Sequence, residues 1–188
     1  MSGRRLPITT AMTLVLTAAP PAARPAEAVR PPLGLEAVVD RLPGFRTLHG
    51  RCLPDGRTVA HVAVGPSGMW LVEGRRWEGA RLRAEAGTKL GRPPRLLAGS
   101  TDHGPLVADL VERADALTRL VGEELFWTPG RAALCVAGAC WPRLGRGLSV
   151  DGVRVCWPAT LGKVLGGRQA LGPDEVFRVH ARLAELLA

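Results

Sequence analysis

Apolar and polar positions fall into clear periods along most of the chain, and the sharpest pattern lies in Thr58–Gly79. Two apolar runs, Val59–Val64 and Met69–Val72, flank Gly65-Pro66-Ser67-Gly68. A four-residue cluster of turn formers between two strand-like runs predicts a β-hairpin. The second run leads into Glu73-Gly74-Arg75, and period-2 alternation puts Glu73 and Arg75 on one side of the strand.

Upstream, Leu35, Val38, Val39 and Leu42 keep helical spacing within Leu33–Leu42, and Pro43-Gly44 stops that helix. Phe45–Leu53 predicts a strand, and Pro54-Asp55-Gly56 a tight turn into the hairpin. Downstream, Ala80–Ala84 predicts a further strand, and Glu85–Thr101 reads as a long loop rich in Gly, Pro and Arg. Leu106, Leu110, Ala114, Leu117 and Val121 form the stripe of a helix over Leu106–Val121, with Asp109, Glu112, Arg113 and Arg119 expected to face away from it. Two buried strands, Ala132–Ala139 and Gly152–Trp157, follow. After them come a short helix near Thr160–Leu165 and another opening at Pro173-Asp174-Glu175. Helix, a meander of three or four strands, helix, two strands and helix predict an α/β fold, a mixed central sheet flanked by helices.

Composition changes this picture in three places. The net charge of +8 favours an anionic partner, nucleic acid first. All but two of the 25 basic residues are arginine, however, and Ala, Gly and Pro abound, so GC-rich coding accounts for much of the charge. Cys52, Cys135, Cys140 and Cys156 are even in number, but the last three sit in apolar runs, where free cysteine behaves as a small hydrophobe. Neither the paired short spacings of a zinc site nor a matching His pair accompanies them, which predicts reduced thiols. Residues 1–32 combine a basic start, a threonine-rich apolar run and a Pro/Ala-rich linker. They read as the tail of a cytoplasmic protein, with a secretion signal as the alternative, and are too short and polar to span a bilayer. One domain is expected over 33–188.

The segment HVAVGPSGMWLVEGRRWEGARL resembles the signature of the nuclease-related domain (NERD) family, of the form I-D-H-x-x-V-G-P-x-G-V-x-x-I-E-x-K-x-W-x-G. The resemblance extends to Gly34-Leu35-Glu36 and to the cysteine-bearing strand Ala133–Pro142, as in actinobacterial members. It implies the αβββαβ core of restriction-endonuclease-like PD-(D/E)xK enzymes, which hydrolyse DNA phosphodiesters with Mg²⁺ held by carboxylates and a lysine near the attacking water. Carried over by position, the resemblance implies Glu36 as the helix glutamate, Glu73 as the strand carboxylate and metal ligand, and Arg75 in the place of the lysine. The family aspartate is Ala60 here. Losing a metal-ligating carboxylate costs more than the roughly 10–100-fold of a supporting residue, and arginine, with a pKa above about 12, moves no proton. A guanidinium still holds phosphate bidentately.

Other residues have plainer readings. Asp55 lies too far along the strand to replace Ala60, and Asp40, one turn beyond Glu36, is a conceivable substitute. His61 is expected as a hydrogen-bonded structural histidine. His49, His103 and His180 are expected at the surface or at helix caps, without partners. Trp70, Trp77, Trp141 and Trp157 fit core or sheet-edge aromatics. Only Trp77, if exposed beside Arg75 and Arg76, would stack on bases. Arg81, Arg83, Arg92 and Arg95 could track a phosphate backbone, although solvated charge is the ordinary role of such residues.

Three functions are therefore expected candidates. The first is a nucleic-acid-associated NERD-like protein with weakened or lost nuclease activity. The second is an active Mg²⁺-dependent nuclease, and the third is a structural or protein-interaction domain.

Overall fold

The computed structural model describes residues 34–87, 93–122, 129–142 and 147–188. The segment 1–32 and Arg92 of the long loop lie outside the described residues. The chain runs α1 (Leu35–Asp40), β1 (Arg46–Cys52), β2 (Thr58–Gly65), β3 (Gly68–Arg76), β4 (Leu82–Glu85), β5 (Arg95–Ala98), β6 (Thr101–Asp102), α2 (Gly104–Val121), β7 (Arg131–Ala137), β8 (Leu148–Val150) and β9 (Val153–Cys156). A one-turn 3₁₀ segment, Pro158–Thr160, leads into α3 (Leu161–Leu165), and α4 (Pro173–Leu186) follows. Pro at the start of α2 and α4 fits the helical φ where no intrahelical N–H is needed. Glu175 returns its carboxylate to the Gly172 N–H at 2.6 Å, capping α4.

Six strands form one mixed sheet in the order β1-β2-β3-β7-β9-β8. The β1–β2–β3 meander is antiparallel, β3–β7–β9 is parallel, and β8 returns antiparallel on the far edge. The mixed α/β architecture expected from the hydrophobic pattern is the one observed. The predicted loop Glu85–Thr101 is corrected in part, because β5 pairs with β4 and β6 in a small second sheet. Leu96, Leu97 and Ala98 are buried there, and a three-residue apolar run between Arg95 and Gly99 is too short to register as a strand.

Each face of the large sheet has its own core. Met69 and Leu71 of β3 point to one face, where they meet Leu110, Leu117 and Val179 of α2 and α4. Trp70 and Val72 point to the other, against Leu35 and Val39 of α1 and Leu161 and Leu165 of α3. Burial on both faces explains why β3 reads as a nearly continuous apolar run.

The hairpin turn is fixed from several sides. Gly65 pairs with Gly68, and a Cβ on Gly65 would lie 2.3 Å from the Phe45 ring, so no larger residue fits. Pro66 O accepts from the N–H groups of Ala170 and Leu171, and the Ser67 hydroxyl donates to Leu165 O while accepting from Trp70 Nε1 at 3.0 Å. Ser67 is thus an anchor between the turn and the end of α3, and Pro66 ties the turn to the chain leading into α4.

All four cysteines are free. Cys135 and Cys156 are buried and directly paired across β7 and β9, whereas Cys140, expected inside an apolar strand, is exposed just beyond β7. No helix among the described residues is long and apolar enough to cross a membrane.

Candidate functional site

Glu73 sits near the middle of β3, and alternation sends its side chain to the α2 face with Leu71. It is only 3% exposed. An ionised carboxylate at that depth needs partners, and two guanidiniums supply them. Arg75 Nη1 lies 2.5 Å from Glu73 Oε1 and also donates to Gly74 O at 2.8 Å. Arg113 Nη1, reaching down from α2, lies 3.4 Å from Glu73 Oε2 and donates to Thr58 O at 2.8 Å. Its Nη2 binds Asp109, one turn earlier on α2, at 2.5 Å. Two cations and two carboxylates thus form a chain of alternating sign from β3 to the surface of α2. Arg57 extends it through Asp109 at 3.8 Å, and also pairs with Asp55 at 2.7 Å and Glu112 at 3.2 Å.

Arg113 corrects an expectation. Its side chain does not face solvent but is buried with Val107, Leu110, Ala114 and Leu117. The spacing held the signal: residue 113 is three beyond Leu110 and four before Leu117, inside the apolar stripe rather than opposite it.

The structure brings Glu73 and Arg75 together, as alternation required, but does not bring Glu36 to them. Glu36 is exposed on α1, which packs against the opposite face of the sheet. The β2–β3 register pairs His61 with Val72, and continued by one residue it puts Ala60 abreast of Glu73, a methyl group instead of a carboxylate. Mg²⁺ takes oxygen ligands in a tight octahedron and keeps several waters. At Glu73 both oxygens face guanidinium groups and no second carboxylate converges, so this donor set does not fit that ion. Among the described residues no group of three His, Cys, Asp or Glu side chains is placed to hold a metal.

Arg75, Arg76 and Trp77, the residues expected to contact nucleic acid, each have a partner within the protein. Arg76 is exposed and paired with Glu78 at 2.6 Å. Trp77 is half-buried against the core and stacks on His103, with ring centroids 4.1 Å apart and planes 23° from parallel. One face of its indole is therefore already covered. His103, expected without a partner, is held by that stacking at the start of α2. Burial pushes its pKa down, opposed by Asp102 and reinforced by the charge of Arg75.

A second polar group occupies the α1 face of the same hairpin. His49 of β1 and His61 of β2 are cross-strand partners, with Nδ1 atoms 2.8 Å apart. His49 Nε2 lies 2.9 Å from Asp40 Oδ1 on α1, and the Thr47 hydroxyl donates to the same oxygen. The Thr47 and His49 hydrogen bonds hold the Asp40 carboxyl below the usual range. His49 was expected without partners and instead has two. Asp40 is committed to β1 rather than free to replace Ala60. His180, on α4, lies 3.2 Å from Thr47 O.

Comparison with family models, curated proteins and solved structures gives no match.

Proposed function

We propose that this chain is a NERD-like, nucleic-acid-associated protein in which metal-dependent hydrolysis has given way to a fixed ion-pair network. The observation that carries this reading is the state of Glu73. The carboxylate at the centre of the family motif is buried, with a guanidinium at each oxygen and Ala60 beside it. With the small β4-β5-β6 sheet inserted before α2, the order α1-β1-β2-β3-α2-β7 is compatible with the αβββαβ core that the motif implies.

Charge bookkeeping around Glu73 moves the anion-binding role elsewhere. Arg75 and Arg113 are offset by Glu73 and Asp109, so the group is close to neutral and draws a phosphate weakly. Arg76, Arg81 and Arg83, exposed on the run that leaves the hairpin, are better placed to meet a backbone. Each phosphate neutralised releases counterions and steepens the salt dependence by roughly 0.9 in log–log slope for a duplex.

Two measurements test the reading. Wild-type protein is expected to bind a labelled duplex at low salt, and Arg76, Arg81 and Arg83 changed together to Gln should flatten the salt slope. No binding at low salt sinks the nucleic-acid role. Plasmid incubated with Mg²⁺ or Mn²⁺ is expected to stay intact. Cleavage that disappears in Glu73→Gln would establish the active-nuclease alternative instead. Recovery of cleavage on combining Ala60→Asp, Arg75→Lys and Arg113→Leu would show that the scaffold still accommodates the chemistry.

A further inference from the structure

The large sheet carries two thiols side by side in its interior. Cys135 of β7 and Cys156 of β9 are in-register neighbours on parallel strands, paired where β9 ends. Both are free and fully buried. They share the α1 face with Trp70, Val72, Ala133, Leu161 and Leu165, and the Cys135 thiol donates to the Cys156 sulfur. The other two cysteines have no thiol across the ladder, since Cys52 pairs with Thr58 and Cys140 with Arg81.

Ladder spacing brings neighbouring Cα atoms to about 4.7–4.9 Å, inside the roughly 4.4–6.8 Å that a disulfide spans. The Cβ atoms of such a pair run side by side at about the same spacing, wider than the roughly 3.5–4.5 Å of a relaxed bridge. A bond here is within reach but strained, and strain makes a disulfide easier to reduce. We propose that Cys135 and Cys156 are a reversible oxidation site, which a small hydroperoxide closes into a disulfide between β7 and β9 and a low-molecular-weight thiol reopens.

The hydrogen bond from Cys135, with the charge of Arg154, lowers the pKa of Cys156 against the effect of burial, while the same hydrogen bond raises that of Cys135. Cys156 therefore reacts first. Its thiolate attacks one peroxide oxygen, the O–O bond breaks, and hydroxide leaves and takes up the proton that Cys156 lost. The Cys135 sulfur then attacks the sulfenic acid at Cys156, and its proton leaves with the displaced hydroxide as a second water. Two thiols and one hydrogen peroxide become one disulfide and two waters, and the two electrons lost by the sulfurs go to the peroxide oxygens. The cover over the pair includes α3, whose five residues are held by packing rather than by length. Local opening of that cover admits peroxide, so the pair reacts more slowly than exposed Cys140. The site lies on the opposite face from Glu73 and stands independently of the nucleic-acid reading.

Peptide mapping of the full chain tests the site. The protein is treated with hydrogen peroxide, remaining thiols are alkylated in urea, and the digest is read by mass spectrometry. A link between Cys135 and Cys156 is expected, and reduced glutathione added to the folded, oxidised protein should return both thiols. In Cys135→Ala the reaction should stop at a sulfenic acid that dimedone labels at Cys156, whereas Cys156→Ala should leave Cys135 unlabelled. The wild-type map decides if neither variant folds. The proposal is overturned if Cys135 and Cys156 remain free thiols once Cys140 is fully oxidised, if either links to Cys52 or Cys140 instead, or if Cys156 reaches sulfinic acid with no link. A bridge that glutathione does not open, or dimedone on Cys135 in Cys156→Ala, overturns it as well.

Discussion

The two faces of one hairpin solve the same problem in opposite ways. On the α2 face Glu73 is buried and bound by two guanidiniums, cations that keep their charge at every ordinary pH. On the α1 face Asp40 is half-exposed and bound by a hydroxyl and an imidazole rather than by permanent cations. Arginine makes the first group rigid and silent. Histidine makes the second responsive. A carboxylate's role in this fold follows less from its own chemistry than from whether its partner can lose a proton.

The largest effect is expected where burial is deepest. Glu73→Ala leaves the Arg113 guanidinium, 9% exposed, without its β3 partner. Breaking a buried pair from one side costs about 3–5 kcal/mol. The Thr58 carbonyl and Asp109 still hold Arg113, which places the loss near the lower end. Urea unfolding measures it. Replacing both partners, Glu73→Leu with Arg113→Leu, should recover most of the loss, because no uncompensated charge then remains. A double variant no more stable than Glu73→Ala would mean that the pair contributes through geometry rather than charge.

Much of this contrast was written in the chain, though unevenly. The β2–β3 hairpin was legible because Gly65 and Gly68 bracket a two-residue turn between apolar runs, a purely local signal. The adjacency of Glu73 and Arg75 followed from alternation alone. The position of Arg113 was misread because its charge outweighed its spacing, although residues 110, 113, 114 and 117 lie on one helical stripe. The His49–His61 contact was missed, yet its signal is simple: both residues lie six positions from Asp55, the centre of the turn about which β1 folds onto β2. What no local pattern carried was the separation of Glu36 from Glu73. That depends on which face of the sheet α1 covers, a property of the assembled layers.

A pH series separates the faces next. His61 has a folded pKa below its unfolded value, so the folded state binds fewer protons. Its contribution to stability is present above about pH 6.5 and falls as pH drops through that unfolded value toward the folded one. Asp40 is depressed too, so its contribution is lost only further down, below the carboxylate range. Wild-type stability should therefore decline on acidification through the mildly acidic range, and His61→Asn should flatten that first decline. An unchanged slope in the variant would remove His61 from the account. At neutral pH, Asp40→Asn is expected to cost only about 0.5–1 kcal/mol, since its side chain is 50% exposed and water replaces the lost contacts.

An effect as small as that of Asp40→Asn should come from Arg75, although it makes the shorter contact to Glu73. Its side chain is 32% exposed, against 9% for Arg113. Solvent screens its pairing, and removing it leaves Glu73 with Arg113 still in place. Arg75→Ala is thus expected to cost about 0.5–1 kcal/mol, several-fold less than Glu73→Ala, with a salt-sensitive share that disappears near 1 M NaCl. Arg75→Lys should retain the charge but lose the second hydrogen bond, to Gly74 O, because that contact uses the geometry of the guanidinium. Thermal melts of the two variants at low and high salt distinguish charge from geometry. If Arg75→Ala proved as damaging as Glu73→Ala, the burial of Arg113 would not be what sets the energy of this face, and the distance at each oxygen of Glu73 would matter more than depth.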